Sequence, residues 1–153
     1  MLVEALVYVG VSVLLLGVAY AAMYRCIDSS VALRRSADDL TGALHAGERW
    51  RADVRAARAP IRVENLADEQ VLFLPGAKHE VVYRAADGAV FRRVGAGTWT
   101  RVLANVSSSN MQRDPRQTVA AWRWELQLKT RAKTSRIRPL FTFISVPAGG
   151  STP

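Results

Sequence analysis

A single carboxylate, that of Glu4, lies at the start of a long apolar segment. The twenty residues that follow it, Ala5 to Tyr24, carry no charge and are rich in Val, Leu and Ala. A helix of that length spans the roughly 30 Å hydrocarbon layer of a bilayer. An ionised carboxylate beside lipid costs on the order of a few kcal/mol unless a partner group meets it. Glu4 is therefore predicted to need a positively charged partner.

A second set of charged residues forms a basic stretch near the C-terminus. Residues 115–153 carry seven Lys and Arg against Glu125 alone, so they hold most of the net charge of +8. Five of these cations fall within ten residues: Lys129, Arg131, Lys133, Arg136 and Arg138. Such a density could bind phosphate groups or an acidic partner. Because no base-stacking aromatic residues are interleaved, a solvated edge or an acidic partner is favoured over nucleic acid.

The sequence contains no recognisable catalytic constellation. Its two histidines, His45 and His79, have no Cys or His neighbour at metal-ligand spacing, and we expect both to be surface residues. There is no glycine-rich phosphate loop and no G-x-S-x-G motif. Three acidic residues, Glu64, Asp68 and Glu69, are too few to predict a calcium site. We therefore predict that the protein is not an enzyme and uses no metal or cofactor.

One long helix is predicted for the N-terminal part of the chain, which includes Glu4 and the apolar segment. Apolar residues recur at steps of three and four through residues 25–60, and Pro60 is the first proline of the chain. The predicted apolar face consists of Leu33, Ala37, Leu40, Leu44, Gly47, Trp50, Val54 and Ala57. We expect a helix of about fifty residues, whose transmembrane half is residues 1–24 and whose amphipathic half is residues 25–60.

From Ile61 the period of apolar residues changes to two, which is typical of β-strands. Residues 61–148 are predicted to form an antiparallel sheet, with turns at Pro75-Gly76, Asp87-Gly88 and Gly95-Ala96-Gly97. Residues 149–153 are predicted to be a disordered tail. The fold class expected from these patterns is α+β, with the long helix packed on the sheet.

Aromatic and aliphatic residues mark the expected contact between helix and sheet. Residues 120–128 alternate cleanly, and one face would carry Trp122, Trp124, Leu126 and Leu128. The four tryptophans are predicted to fill the interface between helix and sheet: Trp50, Trp99, Trp122 and Trp124.

The first residues, MLVEALVYVGVSVLLLG, resemble the start of a mature type IV pilin-like protein: a few apolar residues, a glutamate, then an unbroken apolar helix. The resemblance implies that Glu4 pairs with the N-terminal amine of a neighbouring subunit as subunits stack into a filament. It places Gly10 and Gly17 in the packing of the membrane helix. It also implies a basic leader ending in glycine, removed by prepilin peptidase before methylation of the new N-terminus. Such a leader is expected to be encoded upstream of Met1.

The order of elements resembles that of minor pseudopilins, and the J-type subunit of type II secretion is the most similar. The stretches that carry this are VVYRAADGAVFRRV and the later strand containing Trp122 and Trp124. The resemblance implies a filament subunit of a type II secretion or type IV pilus system, acting in assembly at the filament tip for protein export. Its partners would be other major and minor pseudopilins or pilins, reached through the N-terminal helix. It would cross the inner membrane once, with its globular domain in the periplasm.

Two alternative functions stay open at the level of sequence. The basic stretch would suit a DNA-binding minor pilin of a DNA-uptake system, although nucleic acid is not the expected partner. The apolar segment alone would suit a plain single-span anchored protein. A secretory signal peptide is disfavoured, because no basic residue precedes Arg25 and the apolar run is long.

Overall fold

One helix and eight strands make up the part of the chain that the structure describes. The computed structural model describes residues 2–58, 60–67, 69–116, 119–130 and 139–148. The elements are α1 (Leu2–Ala56), β1 (Arg62–Leu66), β2 (Glu69–Leu74), β3 (Val81–Ala86), β4 (Ala89–Val94), β5 (Thr100–Leu103), β6 (Val106–Pro115), β7 (Ala120–Leu128) and β8 (Leu140–Ser145). The predicted α+β class, with a long N-terminal helix, is confirmed. The predicted tail, residues 149–153, lies outside the described residues.

The chain divides into two compact units, Met1–Asp38 and Asp39–Pro153, and α1 contributes to both. The first unit consists of the N-terminal part of α1. The second contains the remainder of α1 and all eight strands.

The strands form two antiparallel sheets rather than the single sheet expected. β1 to β5 follow one another in a five-stranded sheet, and β6 to β8 form a three-stranded sheet. The tight turn between β3 and β4 is the predicted one, with φ of 52° at Asp87 and 68° at Gly88. Two consecutive residues with positive φ match the right-handed twist of a hairpin, and Asp-Gly is among the pairs that adopt them readily.

Hydrogen bonds between described residues join the sheets without extending either ladder. The backbone N–H of Val106 donates to the carbonyl oxygen of Gly88 over 2.9 Å. The N–H of Met111 donates to Oε1 of Gln70 over 2.6 Å. At Met111 the side-chain amide of Gln70 thus takes the place of a neighbouring strand. A period-two pattern of apolar residues does not record such a contact, so it could not reveal the break between β5 and β6.

The buried face of α1 differs from the predicted one. Gly47, Trp50, Val54 and Ala57 are buried as expected. The prediction is wrong for four residues, which are exposed: Leu33, Ala37, Leu40 and Leu44. Their place is taken by Ala43 and Ala46, both buried. Small side chains let a helix backbone approach its neighbours closely, so the contact face includes residues whose size gives little hydrophobic signal.

Three of the four tryptophans occupy the core as predicted. Trp50 and Trp124 are fully buried and Trp122 is nearly so. Trp99 is 37% exposed, so its placement between helix and sheet is wrong. The Arg93 guanidinium lies 4.7 Å from the centroid of the Trp99 ring, a cation–π contact that holds the indole at the surface.

Gly47 sets how closely α1 approaches β8. A Cβ added at this position would overlap the Phe143 ring, which is itself buried. We expect Gly47→Ala to lower the free energy of unfolding by about 1–2 kcal/mol, because overpacking outweighs the gain in helix propensity. Gly42→Ala is the matched control, since its Cβ would lie 3.6 Å from Leu103 Cδ1, an ordinary contact. It should stabilise by about 0.5–1 kcal/mol. Thermal unfolding of both variants in a mild detergent measures the difference, and equal shifts would contradict the close approach.

Candidate functional site

The N-terminal part of α1 presents an apolar surface that the chain leaves uncovered. From Val3 to Met23 the large apolar side chains are between 51% and 77% exposed. The helix is long and apolar enough to cross a membrane. Exposed apolar surface of this extent is stable in lipid or against other helices, not in water.

Glu4 lies in the first turn of α1 and its side chain is exposed. The start of a helix carries a partial positive charge, which favours a carboxylate at this position. Within the described part of the chain, no cation forms an ion pair with Glu4. The carboxylate is therefore available to a charge on another molecule.

Gly10 and Gly17 form a shallow strip on the same helix. They are seven residues apart, which is close to two full turns, so they lie on one face. A Cβ added at either position would meet nothing within 4 Å. Small residues on one face of a membrane helix allow another helix to approach closely. The role of both glycines in helix packing stays a prediction.

Only one residue of the predicted basic edge falls in the described part of the chain. Lys129 is exposed, and its Nζ lies 2.6 Å from where a Cβ on Gly88 would be, so this side chain extends over the β3–β4 turn. The other four lie outside the described residues: Arg131, Lys133, Arg136 and Arg138. The basic edge stays a prediction.

A charged network that sequence reasoning missed ties α1 to the five-stranded sheet. The Tyr83 hydroxyl donates to Oδ2 of Asp53 over 2.5 Å. Arg92 donates to the same carboxylate twice, from Nε to Oδ2 over 2.8 Å and from Nη2 to Oδ1 over 3.0 Å. A bidentate guanidinium and a phenol thus satisfy one carboxylate whose side chain is 15% exposed.

Burial and the bonds to Asp53 fix the protonation of this network. Desolvation, followed by the hydrogen bond to Asp53, raises the pKa of Tyr83 well above its ordinary value. The hydrogen bond to Asp53 likewise raises the pKa of Arg92. The phenol therefore stays protonated as a donor, and the guanidinium stays charged.

A sequence signal for part of this network existed. Tyr83 and Arg92 are equally distant from the Asp87-Gly88 turn, and they are directly paired across β3 and β4. Asp53 is three residues from Trp50, on the buried side of the amphipathic helix. An acid on that side needs a partner from the sheet, and a Tyr–Arg cross-strand pair can supply it.

The described residues contain no group of three or more His, Cys, Asp or Glu that could hold a metal ion. His45 and His79 are exposed, as predicted. Glu69, from the weak acidic stretch, is engaged in an ion pair with Arg84, while Asp68 lies outside the described residues.

No protein family model, curated protein or solved structure matches this chain.

Proposed function

We propose that this chain is a minor pseudopilin-like filament subunit of a type II secretion or type IV pilus system. It would act in assembly at the filament tip for protein export. The observation that carries the proposal is a carboxylate, Glu4, in the first turn of a helix whose next twenty residues are uncharged. In this proposal α1 anchors the chain in the inner membrane, and the β-rich domain lies in the periplasm.

The proposal is supported by the contrast between the exposed apolar surface in the N-terminal part of α1 and the single charge there, that of Glu4. A plain anchor needs only apolar residues, and a carboxylate at its edge weakens it by a few tenths to about 3 kcal/mol, depending on depth. The same carboxylate becomes favourable when the amine of a neighbouring chain meets it where water is excluded, because their attraction is weakly screened there. The charge thus favours helix-to-helix association over simple anchoring.

The strip formed by Gly10 and Gly17 supports the same helix-to-helix association. Association of helices in lipid depends on close van der Waals packing, which small residues permit. In the proposed mechanism the subunits associate laterally through α1, and an assembly ATPase then drives their extraction from the membrane. The chain's own contribution is the helix surface and the Glu4 carboxylate, with no covalent chemistry.

Photo-crosslinking in living cells tests the proposal. A photoreactive amino acid would replace Leu14, which is exposed in the apolar part of α1, or Lys78, an exposed residue of the β2–β3 loop. We expect the Leu14 probe to give adducts with other pilin-like subunits after irradiation, identified by mass spectrometry. The Lys78 probe controls for random collision. A chain that is a plain anchor would give no such protein adducts from Leu14, and that result would overturn the proposal.

A further inference from the structure

A cleft of about 480 Å³ lies between α1 and the edge strand β5, within the domain formed by Asp39–Pro153. Its lining consists of Gly42, His45, Ala46, Arg49, Thr100, Arg101 and Val102. The small side chains on the helix, at Gly42 and Ala46, leave room between the two elements. Guanidinium groups stand on both sides, Arg49 from the helix and Arg101 from the strand.

The neighbouring contacts show how the cleft arises. Nδ2 of Asn105 donates to Oδ1 of Asp39 over 3.1 Å, and the Leu103 side chain lies near Gly42. Strand residue numbers therefore fall as helix numbers rise, so β5 runs antiparallel to α1. The contacts hold the two elements together at Asn105 and Leu103, and the space opens beside the Thr100–Val102 part of the strand.

The basic residues of the cleft have no acidic partner in the part of the chain that the structure describes. Arg49, Arg101 and His45 are exposed, and none forms an ion pair or side-chain hydrogen bond with a described residue. Arg84 of β3 and Arg92 of β4 differ in this respect, since Arg84 is paired with Glu69 and Arg92 with Asp53. Two guanidinium groups beside one cleft repel each other, so an entering anion relieves that repulsion.

The strand that borders the cleft also has an open edge. β5 is the last strand of its sheet and pairs only with β4. Alternate residues of an antiparallel strand turn their N–H and C=O groups to opposite sides, so at least one of Thr100–Val102 offers both groups away from β4. No backbone hydrogen bond to another described residue occupies that edge. An unpaired edge is a template for an additional strand.

We propose that this cleft binds an extended acidic segment of a partner protein. The segment would add to the open edge of β5 through backbone hydrogen bonds, and its carboxylates would be received by Arg49 and Arg101. His45 would supply a further ring N–H donor. The guanidinium fork matches a carboxylate with two parallel hydrogen bonds. This inference does not depend on the filament role, since it concerns the domain alone.

The geometry favours a peptide over other anions. A strand edge offers paired N–H and C=O groups, which neither a lipid headgroup nor a nucleic acid backbone can match as a ladder. Among the described residues, no Trp, Tyr or Phe ring lines the cleft, and the nearby Trp99 is already in contact with Arg93. The volume of the cleft accommodates a short stretch of chain rather than a duplex.

Fluorescence anisotropy on the full chain, purified in an uncharged detergent, tests the proposal. The probe is a rhodamine-labelled ten-residue peptide of alternating Glu and Thr, and the control peptide carries Gln in place of Glu. We expect the Glu peptide to bind at least about tenfold more tightly than the Gln peptide. The double variant Arg49→Gln, Arg101→Gln should weaken Glu-peptide binding by about tenfold.

A matched double variant separates the site from general charge. Arg58 and Arg113 are also exposed arginines without a side-chain partner among the described residues, so Arg58→Gln, Arg113→Gln removes the same charge elsewhere. We expect it to change affinity by less than about twofold. Equal losses from the two double variants would overturn the proposal. Unchanged thermal unfolding of both variants, expected because all four positions are exposed, ensures that any loss reflects binding.

Two further probes distinguish the occupant. A Glu peptide with N-methyl groups on alternate backbone nitrogens cannot form the ladder, so it should bind at least about tenfold more weakly. Equal binding of the methylated peptide would overturn the edge pairing. Oligodeoxythymidylate and phosphatidylglycerol vesicles should not displace the Glu peptide at matched charge concentration. Displacement that depends on Arg49 and Arg101 would instead assign the cleft to nucleic acid or to lipid.

Discussion

Replacing Trp124 with alanine is expected to lower the free energy of unfolding by about 3–5 kcal/mol, a large share of the stability of a domain of this size. Trp124 is fully buried on β7. Its ring centroid lies 5.8 Å from that of Trp50 on α1 and 5.6 Å from that of Phe143 on β8. Its Nε1 donates to Oγ of Ser109 over 2.9 Å. The substitution removes contacts to both the helix and the neighbouring strands and leaves a cavity at their junction.

Trp99→Ala is the matched control for this experiment, because it is the same change at a partly exposed ring. It should cost less than about 1 kcal/mol, since it removes the cation–π contact with Arg93 and little buried area. Urea unfolding of both variants in a mild detergent, followed by near-ultraviolet circular dichroism, measures the two losses. Similar losses for the two variants would show that Trp124 is not the centre of the core.

Replacing Glu4 with alanine is expected to reduce recruitment of the chain into filaments by about tenfold or more. In the proposed filament, the substitution leaves the amine of a neighbouring subunit without its carboxylate partner. An unpaired charge in a water-poor environment is strongly unfavourable. The β-rich domain should unfold at an unchanged temperature, because Glu4 lies outside the unit formed by Asp39–Pro153. The fraction of tagged chain recovered in sheared filaments gives the measurement.

Asp28→Ala provides the control, since Asp28 is an exposed acid on the same helix just beyond the uncharged run. We expect it to leave recruitment within about twofold of the unaltered chain. Normal recruitment of the Glu4→Ala variant would contradict the pairing of Glu4 with a neighbouring amine. It would also make the plain-anchor alternative the better account of α1.

Local patterns were sufficient to predict the long helix and several strands of this fold, but not the largely polar strand β6. The Asp87-Gly88 turn was identifiable because few residue pairs tolerate two consecutive positive φ values. The alternation from Trp122 to Leu128 was identifiable because a strand with one buried face repeats every two residues. Glu4 stood out because a charge in a long apolar run is rare. Each of these signals lies within a few residues of sequence.

The features that were missed depend on which distant elements meet. Ala43 and Ala46 carry little hydrophobic signal, and only the closeness of the helix to the strands explains their burial. The contact between the two sheets includes that of Gln70 with the backbone of Met111, 41 residues away in the chain. The cleft beside β5 likewise exists because that strand is an edge. None of these relations has a local periodicity.

The network around Asp53 has a consequence for the rotational setting of α1 in the domain. Ala43, Ala46 and Gly47 present a nearly smooth surface, over which a helix could roll with little resistance from side-chain shape. The buried Trp50 beside Trp124 and the charged Asp53 both oppose this. Turning the helix by one residue, about 100°, would remove the Asp53 carboxylate from Arg92. The ion pair therefore helps to fix the rotation of α1 about its own axis, and with it the face of the helix that is exposed on the domain.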